Sequence, residues 1–494
     1  MLAPRLSFVC AILSASAVGL CGVASAATPL DHLRAAPKPR FREGHTLPPL
    51  TRWGWMMSYD VRVELAEHWG YALELGEANA GLVKQLEDAK SIPSKLCALT
   101  ASDPKRYPLF VMAARPCHGK EFIQACPPET WTCDAQGNPA KGQIWSPEAP
   151  TSVFQRAGEL VAEPLRKILE KAPIAVIING GEYALSVAGH HAKFWGQDPR
   201  IVKAKGEKGW FDYISESRVR QEMPITDAVR KACPNRSLYI WYYVEGCPHR
   251  HSGETGWQAW AWDYKAMKPV SDLPSGSIYF NHFNSGWTGK DDMLSQALNS
   301  VAQETAEGQP LFYDWVCGGW TRDKMGEQAF SDVAHYTGFL KCWYTAGMVG
   351  AVAGYFAYPK GGFEGDAGPE PPSWLAQMMA LGHVHALFSQ VEDFLRNGDL
   401  LPGPDKHRWS KDLPAYEFPT GDPDARVLAR KHRARDEWLL TAWAGGGPDR
   451  EIAATIPGLG EVRLSARACG TVYRATLKDG RPALAQVDTE DRVQ

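Results

Sequence analysis

The chain has 494 residues, a formal net charge of −3 and 44% hydrophobic residues. That length exceeds one small domain and suits a large domain with a smaller one appended. The near balance of charge excludes a nucleic-acid or acidic-partner binder, and the apolar content excludes a disordered chain.

The first residues combine Arg5, a short apolar run from Leu6 to Leu20 and the small-residue site Ala24-Ser25-Ala26. This pattern predicts a bacterial signal peptide over residues 1–26, cleaved after Ala26, and a mature protein in the periplasm or the medium. Leu20 fits poorly before a lipidated Cys21. The apolar run is too short for a membrane anchor, and no later stretch is long enough to span a bilayer. Residues 27–49, rich in Pro and Arg, read as an extended lead-in.

From residue 50 short apolar-aromatic runs alternate with helix-like stretches. Strands are expected at Arg52–Tyr59, Tyr71–Leu75, Tyr107–Ala113, the stretch IAVIINGGEYALSV from Ile174, Ser237–Val244, Ser277–Phe283, Pro310–Trp315 and Ala351–Tyr358. Helices are expected at Val61–Trp69, Asn79–Ala89, Ser152–Lys171, Ser217–Ala232, Lys290–Thr305, Glu327–Thr345 and Ser373–Arg396. Strands alternating with helices imply parallel βα units, and eight of them imply an α/β fold of the closed (β/α)8 (TIM) barrel type over residues 50–402. An open doubly wound sheet would want a Gly-rich turn after its first strand, and MMSYDVRVEL has none. Past Pro402 the texture changes to short strand-like runs, Val427–Ala429, Glu437–Ala444, Glu451–Thr455, Val462–Leu464 and Thr471–Ala475, separated by Gly-rich turns. Residues 403–494 therefore read as a small antiparallel β-sandwich.

In such a barrel the reactive groups sit at the carboxyl ends of the strands. That rule selects Asp60 after strand one, Glu182 after strand four, Glu245 after strand five and Asp314 on strand seven. Glu182 is the strongest candidate, because Gly180 and Gly181 before it allow a sharp turn and a close backbone approach. The bland alternative is a glutamate capping the next turn. Asn179 is a side chain able to hold a sugar hydroxyl, as are His282 and Asn284 in FNHFNSGW. Trp is abundant, with 19 copies. Trp55, Tyr243, Trp287, Trp315, Trp320 and Tyr358 all fall near one expected rim, where flat aromatic faces suit sugar rings, although each alone is more often core.

IINGGEY and LFYDW resemble the ends of strands four and seven in exported (β/α)8 glycoside hydrolases of the clan A type. The resemblance implies that Glu182 is the proton donor and Asp314 the second carboxylate, with Glu245 its rival. Two departures stand out. Two glycines replace the Asn that usually precedes the strand-four glutamate, and Asp replaces the usual Glu on strand seven. A carboxylate gap of roughly 5 Å gives retention and a wider one inversion, so the shorter Asp leaves the stereochemical outcome open.

The resulting expectation is a secreted glycoside hydrolase acting on a polysaccharide or oligosaccharide with two carboxylates, no metal and no cofactor. A metal-dependent carbohydrate hydrolase, such as a deacetylase, would use His190, His191, His249 and His251, yet no HxH sits on strand one. A non-catalytic sugar-binding barrel and a polysaccharide lyase are further alternatives. Export permits disulfides among the nine cysteines beyond the leader, with Cys117, Cys126 and Cys133 in one loop and Cys233 and Cys247 flanking one strand.

Overall fold

The computed structural model describes residues 27–52, 57–114, 119–139, 144–179, 195–234, 237–241, 263–279, 293–317, 333–354, 369–407, 411–446 and 448–488. Eight short strands recur along the first part of the chain. They are β1 (Thr51–Arg52), β2 (Leu73–Ala78), β3 (Leu109–Ala113), β4 (Val176–Asn179), β5 (Leu238–Trp241), β6 (Ser277–Tyr279), β7 (Phe312–Cys317) and β8 (Met348–Ala353). The chain divides into two compact units, Ala72–Ser277 and the remainder, Met1–Tyr71 with Ile278–Gln494.

In the unit Ala72–Ser277 four strands pair in the order β2-β3-β4-β5. All three pairings are parallel, with Ile177 opposite Tyr239 and Asn179 opposite Trp241. Val111, Val176, Ile177 and Ile178 are fully buried, as a parallel strand covered on both faces requires. The helix Thr151–Leu169 buries Val153, Ala157, Val161, Leu165 and Ile168, a stripe at helical spacing. It lies close against the helix Trp210–Ala232. A Cβ on Gly158 would meet the Pro224 carbonyl oxygen at 2.6 Å, so glycine sets how near the two helices come.

A helix at Ile92–Ser102 was not expected from the sequence. Its start is nonetheless well marked, because Ser91 accepts from the Ser94 N–H and proline occupies the first turn. The helix expected to begin at Ser217 starts at Trp210.

In the other unit the sheet order is β1-β8-β7-β6. Both β1 and β7 run parallel to β8. Gly350 leaves room for the Tyr313 ring, whose hydroxyl donates to the Pro49 carbonyl at 2.7 Å. The helix expected over Ser373–Arg396 breaks at Val391 into Ser373–Gln390 and Glu392–Asn397.

The lead-in is not extended throughout. Pro29–Ala35 is a helix started by a capping box between Thr28 and Asp31. Farther on, Arg42 pairs with Glu392, and the Thr46 N–H donates to the same carboxylate at 2.9 Å.

The C-terminal strands are β9 (Gly398–Leu400), β10 (Ala425–His432), β11 (Glu437–Ala444), β12 (Arg450–Ile456), β13 (Gly460–Ala466), β14 (Thr471–Lys478) and β15 (Arg481–Gln486). Five form an antiparallel sheet, β15-β14-β11-β10-β9, and β12-β13 form a hairpin over the same core of Val427, Leu440, Ile452, Val462 and Leu464. β9 joins this sheet from upstream of the composition change at Pro402. The helix Val333–Ala346 docks here, with Lys341 Nζ donating to the Gly470 carbonyl at 2.9 Å and to Asp488 at 2.6 Å.

Among the described cysteines, Cys97, Cys126, Cys133, Cys233 and Cys469 are free thiols, so Cys126 and Cys133 are not bridged to each other. Cys117 and Cys247 lie outside the described residues. Among the described residues no helix is long and apolar enough to cross a membrane.

Candidate functional site at the strand ends

The structure places three of the expected site residues on parallel strands, Asn179 in the unit Ala72–Ser277 and Asp314 and Trp315 in the other. Asn179 is the last residue of β4 as described and is buried. Its Nδ2 donates to the Tyr239 hydroxyl at 2.9 Å. Asn179 stands opposite Trp241, whose indole N–H donates at 3.0 Å to Glu222 on the helix Trp210–Ala232. Paired residues of parallel strands point to the same face, so the Asn179 amide faces the helix layer. The sequence reading gave that amide to a sugar hydroxyl; the fold gives it an internal partner.

Asp314 and Trp315 were expected at the end of strand seven. The strand starts later and continues to Cys317, so both residues lie within it, opposite Ala351 and Val352, and both are fully buried. Asp60 is exposed on the first turn of the helix Tyr59–His68, where Ser58 caps Val61 and an acid complements the helix dipole. Trp55, Glu182, Tyr243, Glu245, His282, Asn284, Trp287, Trp320 and Tyr358 lie outside the described residues, as do His190, His191, His249 and His251.

The segments beyond β3 and β4 fold against each other. Ile144, Trp195, Ile201, Tyr213 and Ile214 share a small core. The Trp195 indole N–H donates to the Trp145 carbonyl at 3.1 Å, and the Trp131 and Trp145 rings lie 5.0 Å apart. Asp198 binds this wall together by accepting the Cys133 N–H at 3.0 Å and pairing with Arg200. Burial would raise the Asp198 carboxyl, but the Arg200 side chain and the N–H groups of Cys133 and Arg200 outweigh it and hold the carboxyl below its ordinary value. Arg200 in turn donates to the carbonyls of Glu129 and Trp131 at 2.8 and 2.6 Å.

Sequence reasoning missed a charged seam in the same unit. Arg218 and Glu222 are one helical turn apart on Trp210–Ala232 and have no exposed surface. Burial pulls the Arg218 guanidinium down to about 9, against the opposing pull of the Glu222 carboxylate. The signal was present in the sequence: both charges interrupt the i, i+3/i+4 face on which Ile214 and Ile225 are buried. A separate groove of about 790 Å³ lies between the helices Thr151–Leu169 and Trp210–Ala232, lined by Arg156, Glu159, Arg220, Asp227 and Lys231. It belongs to the helix layer and not to the strand ends.

The chain is similar to the apo exo-carrageenase GH42 from Bacteroides ovatus, with a TM-score of 0.50 and 9% identity, over 90% of this chain and 84% of that one. That likeness shows the fold. The chain is α/β, of the TIM-barrel type found among glycoside hydrolases, with a C-terminal antiparallel sheet. Looser likenesses include two further structures. One is the Bacillus licheniformis trehalose-6-phosphate hydrolase, with a TM-score of 0.47 and 10% identity over 89% of this chain and 98% of that one. The other is the agarase AgWH50C, with a TM-score of 0.36 and 13% identity over 67% of this chain, which spans only 48% of that protein's length. No protein-family model and no curated protein matches the chain.

Proposed function

We propose that this chain is an exported glycoside hydrolase that cleaves glycosidic bonds in a polysaccharide or oligosaccharide with two carboxylates and no cofactor. The observation that carries the reading is the address of Glu182. It follows the last described residue of β4 by three positions in sequence, and in a barrel of this type reactive groups gather beyond the carboxyl ends of the strands. The likeness in fold to an exo-carrageenase supports the same reading, as an analogy of fold.

In this mechanism Glu182 donates its proton to the leaving glycosidic oxygen while a second, ionised carboxylate attacks the anomeric carbon or activates a water. Glu245, four residues beyond the described end of β5, and Asp314, inside β7, compete for the second role. Trp55, Tyr243, Trp287, Trp320 and Tyr358 would stack on sugar rings, with His282 and Asn284 holding hydroxyls. The leader over residues 1–26 would deliver the enzyme to the periplasm or the medium.

The test is reducing-end release from a panel of neutral and acidic polysaccharides, carrageenan included, with wild type beside Glu182→Gln, Glu245→Gln and Asp314→Asn. Loss of a general acid costs about 10²- to 10⁴-fold in rate. Glu182→Gln should fall by that much while staying folded, as should one of the other two variants. Undiminished turnover in Glu182→Gln refutes the assignment. Release sensitive to chelator would instead favour metal chemistry at His190, His191, His249 and His251.

A further inference from the structure

The inward stripe of the helix Trp210–Ala232 runs through Ile214, Arg218, Glu222 and Thr226, each four residues from the last and each buried. A helix packed on a sheet normally fills such a stripe with apolar side chains. Burying a guanidinium and a carboxylate costs several kcal/mol per ion, and apolar residues of similar volume are often as stable or more so. Stability therefore gives a poor account of this pair.

The bond that Glu222 makes, with those beside it on β4 and β5, gives a better one. Glu222 Oε2 accepts the Trp241 indole N–H at 3.0 Å, and the Tyr239 hydroxyl accepts the Asn179 amide at 2.9 Å. On the same strand the Trp241 main-chain N–H donates to Ser271 Oγ at 2.9 Å and the Tyr239 N–H to Asp272 at 2.8 Å. Arg230 holds Asp272 in turn, at 2.8 Å. The last described residues of β4 and β5 are thus tied down by side chains in buried, low-dielectric surroundings, where a satisfied network fixes one geometry and a broken one is costly.

We propose that Glu222 and Tyr239 are positioning residues for the hydrolysis proposed above: through Trp241 and Asn179 they fix the ends of β5 and β4, from which Glu245 and Glu182 follow by four and three residues. The inference rests on that reading of the reaction. Neither residue touches substrate. Their work is to hold the strand ends at the spacing that proton transfer needs, where a misplacement of about 1 Å costs on the order of 10²-fold in rate.

The experiment measures kcat and KM of the full chain, on the polysaccharide that wild type cleaves, for Glu222→Leu, Glu222→Gln and Tyr239→Phe, with Glu182→Gln alongside. Circular dichroism fixes a temperature at which every variant is folded. Glu222→Leu and Tyr239→Phe should lose about 10- to 100-fold in kcat with KM little changed. Glu222→Gln should recover most of the loss, because its amide oxygen still accepts the indole N–H. Full kcat in Glu222→Leu and Tyr239→Phe, with only the melting temperature lowered, makes the seam structural and overturns the proposal. Should Glu222→Leu not fold, Tyr239→Phe, which deletes a single oxygen, decides alone. If Glu182→Gln is inactive and the seam variants run at full speed, only the positioning role falls. If Glu182→Gln keeps its activity, the hydrolase assignment falls and takes the positioning role with it.

Discussion

Replacing Arg430 on β10 should destabilise the unit that carries the C-terminal sheet more than almost any other single change. The side chain has no exposed surface, and all its donors are spent on main-chain carbonyls. Nε donates to Phe394 at 3.1 Å, Nη1 to Thr345 and Ala346 at 3.1 Å each, and Nη2 to Leu395 and Gly398 at 3.3 and 2.9 Å. Thr345 and Ala346 end one helix, and Phe394 and Leu395 belong to another, Glu392–Asn397. Carbonyls at helix ends have no partner within the helix, so one guanidinium caps two helices at once. Burial lowers its pKa to about 10, which still leaves it charged at neutral pH.

Arg430→Met keeps much of the volume and removes every donor. Hydrogen bonds to a charged group contribute about 1.5–3 kcal/mol each but do not add, so we expect a loss of about 3–5 kcal/mol. At about 2–4 °C per kcal/mol for an unfolding unit of this size, the melting temperature should fall by roughly 10 °C. Arg430→Lys should fall between the two, since an ammonium keeps the charge but not the planar fork. Thermal melts followed by circular dichroism, with urea titration as the second measure, read both variants. A melting temperature for Arg430→Met within about 2 °C of wild type would mean that the carbonyls find other partners and that the capping argument is wrong.

Other outcomes follow from buried groups in the same unit. Burial pushes His383 down to about 4 and His385 down to about 3, below the ordinary value of 6.5. The unfolded chain therefore takes up these protons first as pH falls. The stability the neutral rings contribute is fully present above pH 6.5 and is lost progressively toward pH 4, by on the order of 1 kcal/mol per pH unit for each ring. Urea midpoints measured from pH 7 to 4.5 should fall, and fall less in His383→Phe; a flat profile contradicts the assignment. Gly338→Ala should cost about 1–3 kcal/mol, because a Cβ there would collide with the Trp443 ring and the Ala468 carbonyl where the helix meets the sheet. An unchanged melting temperature for that variant would show that the docked helix has room to shift.

The sequence alone determined the βα rhythm and the change to antiparallel strands toward the C-terminus. Both rest on local patterns that survive folding: apolar runs such as IAVII become strands buried on two faces, and the largely apolar run EWLLTAWA becomes β11, buried at all but its first residue, with the bounds expected for it, Glu437–Ala444. Local capping chemistry was also there to be read at Ser91 and Thr28, although the helices it starts, Ile92–Ser102 and Pro29–Ala35, were missed. Strand ends were less legible. Periodicity cannot separate the last apolar residue of a strand from the first of a loop, which is how Asp314 and Trp315 came to be read as rim residues when β7 runs on to Cys317.

Only the tertiary structure decided what the polar side chains near the strand ends do. An Asn at the end of a strand has the same letter whether it meets a sugar or a tyrosine. Register with β5 turned Asn179 toward Tyr239 and the helix layer. The same holds for Arg218 and Glu222, which a helical wheel shows as charges out of place. Their meaning came from the strand that the helix packs against, because partners distant in sequence, and not neighbours along the chain, set the free energy of a buried charge.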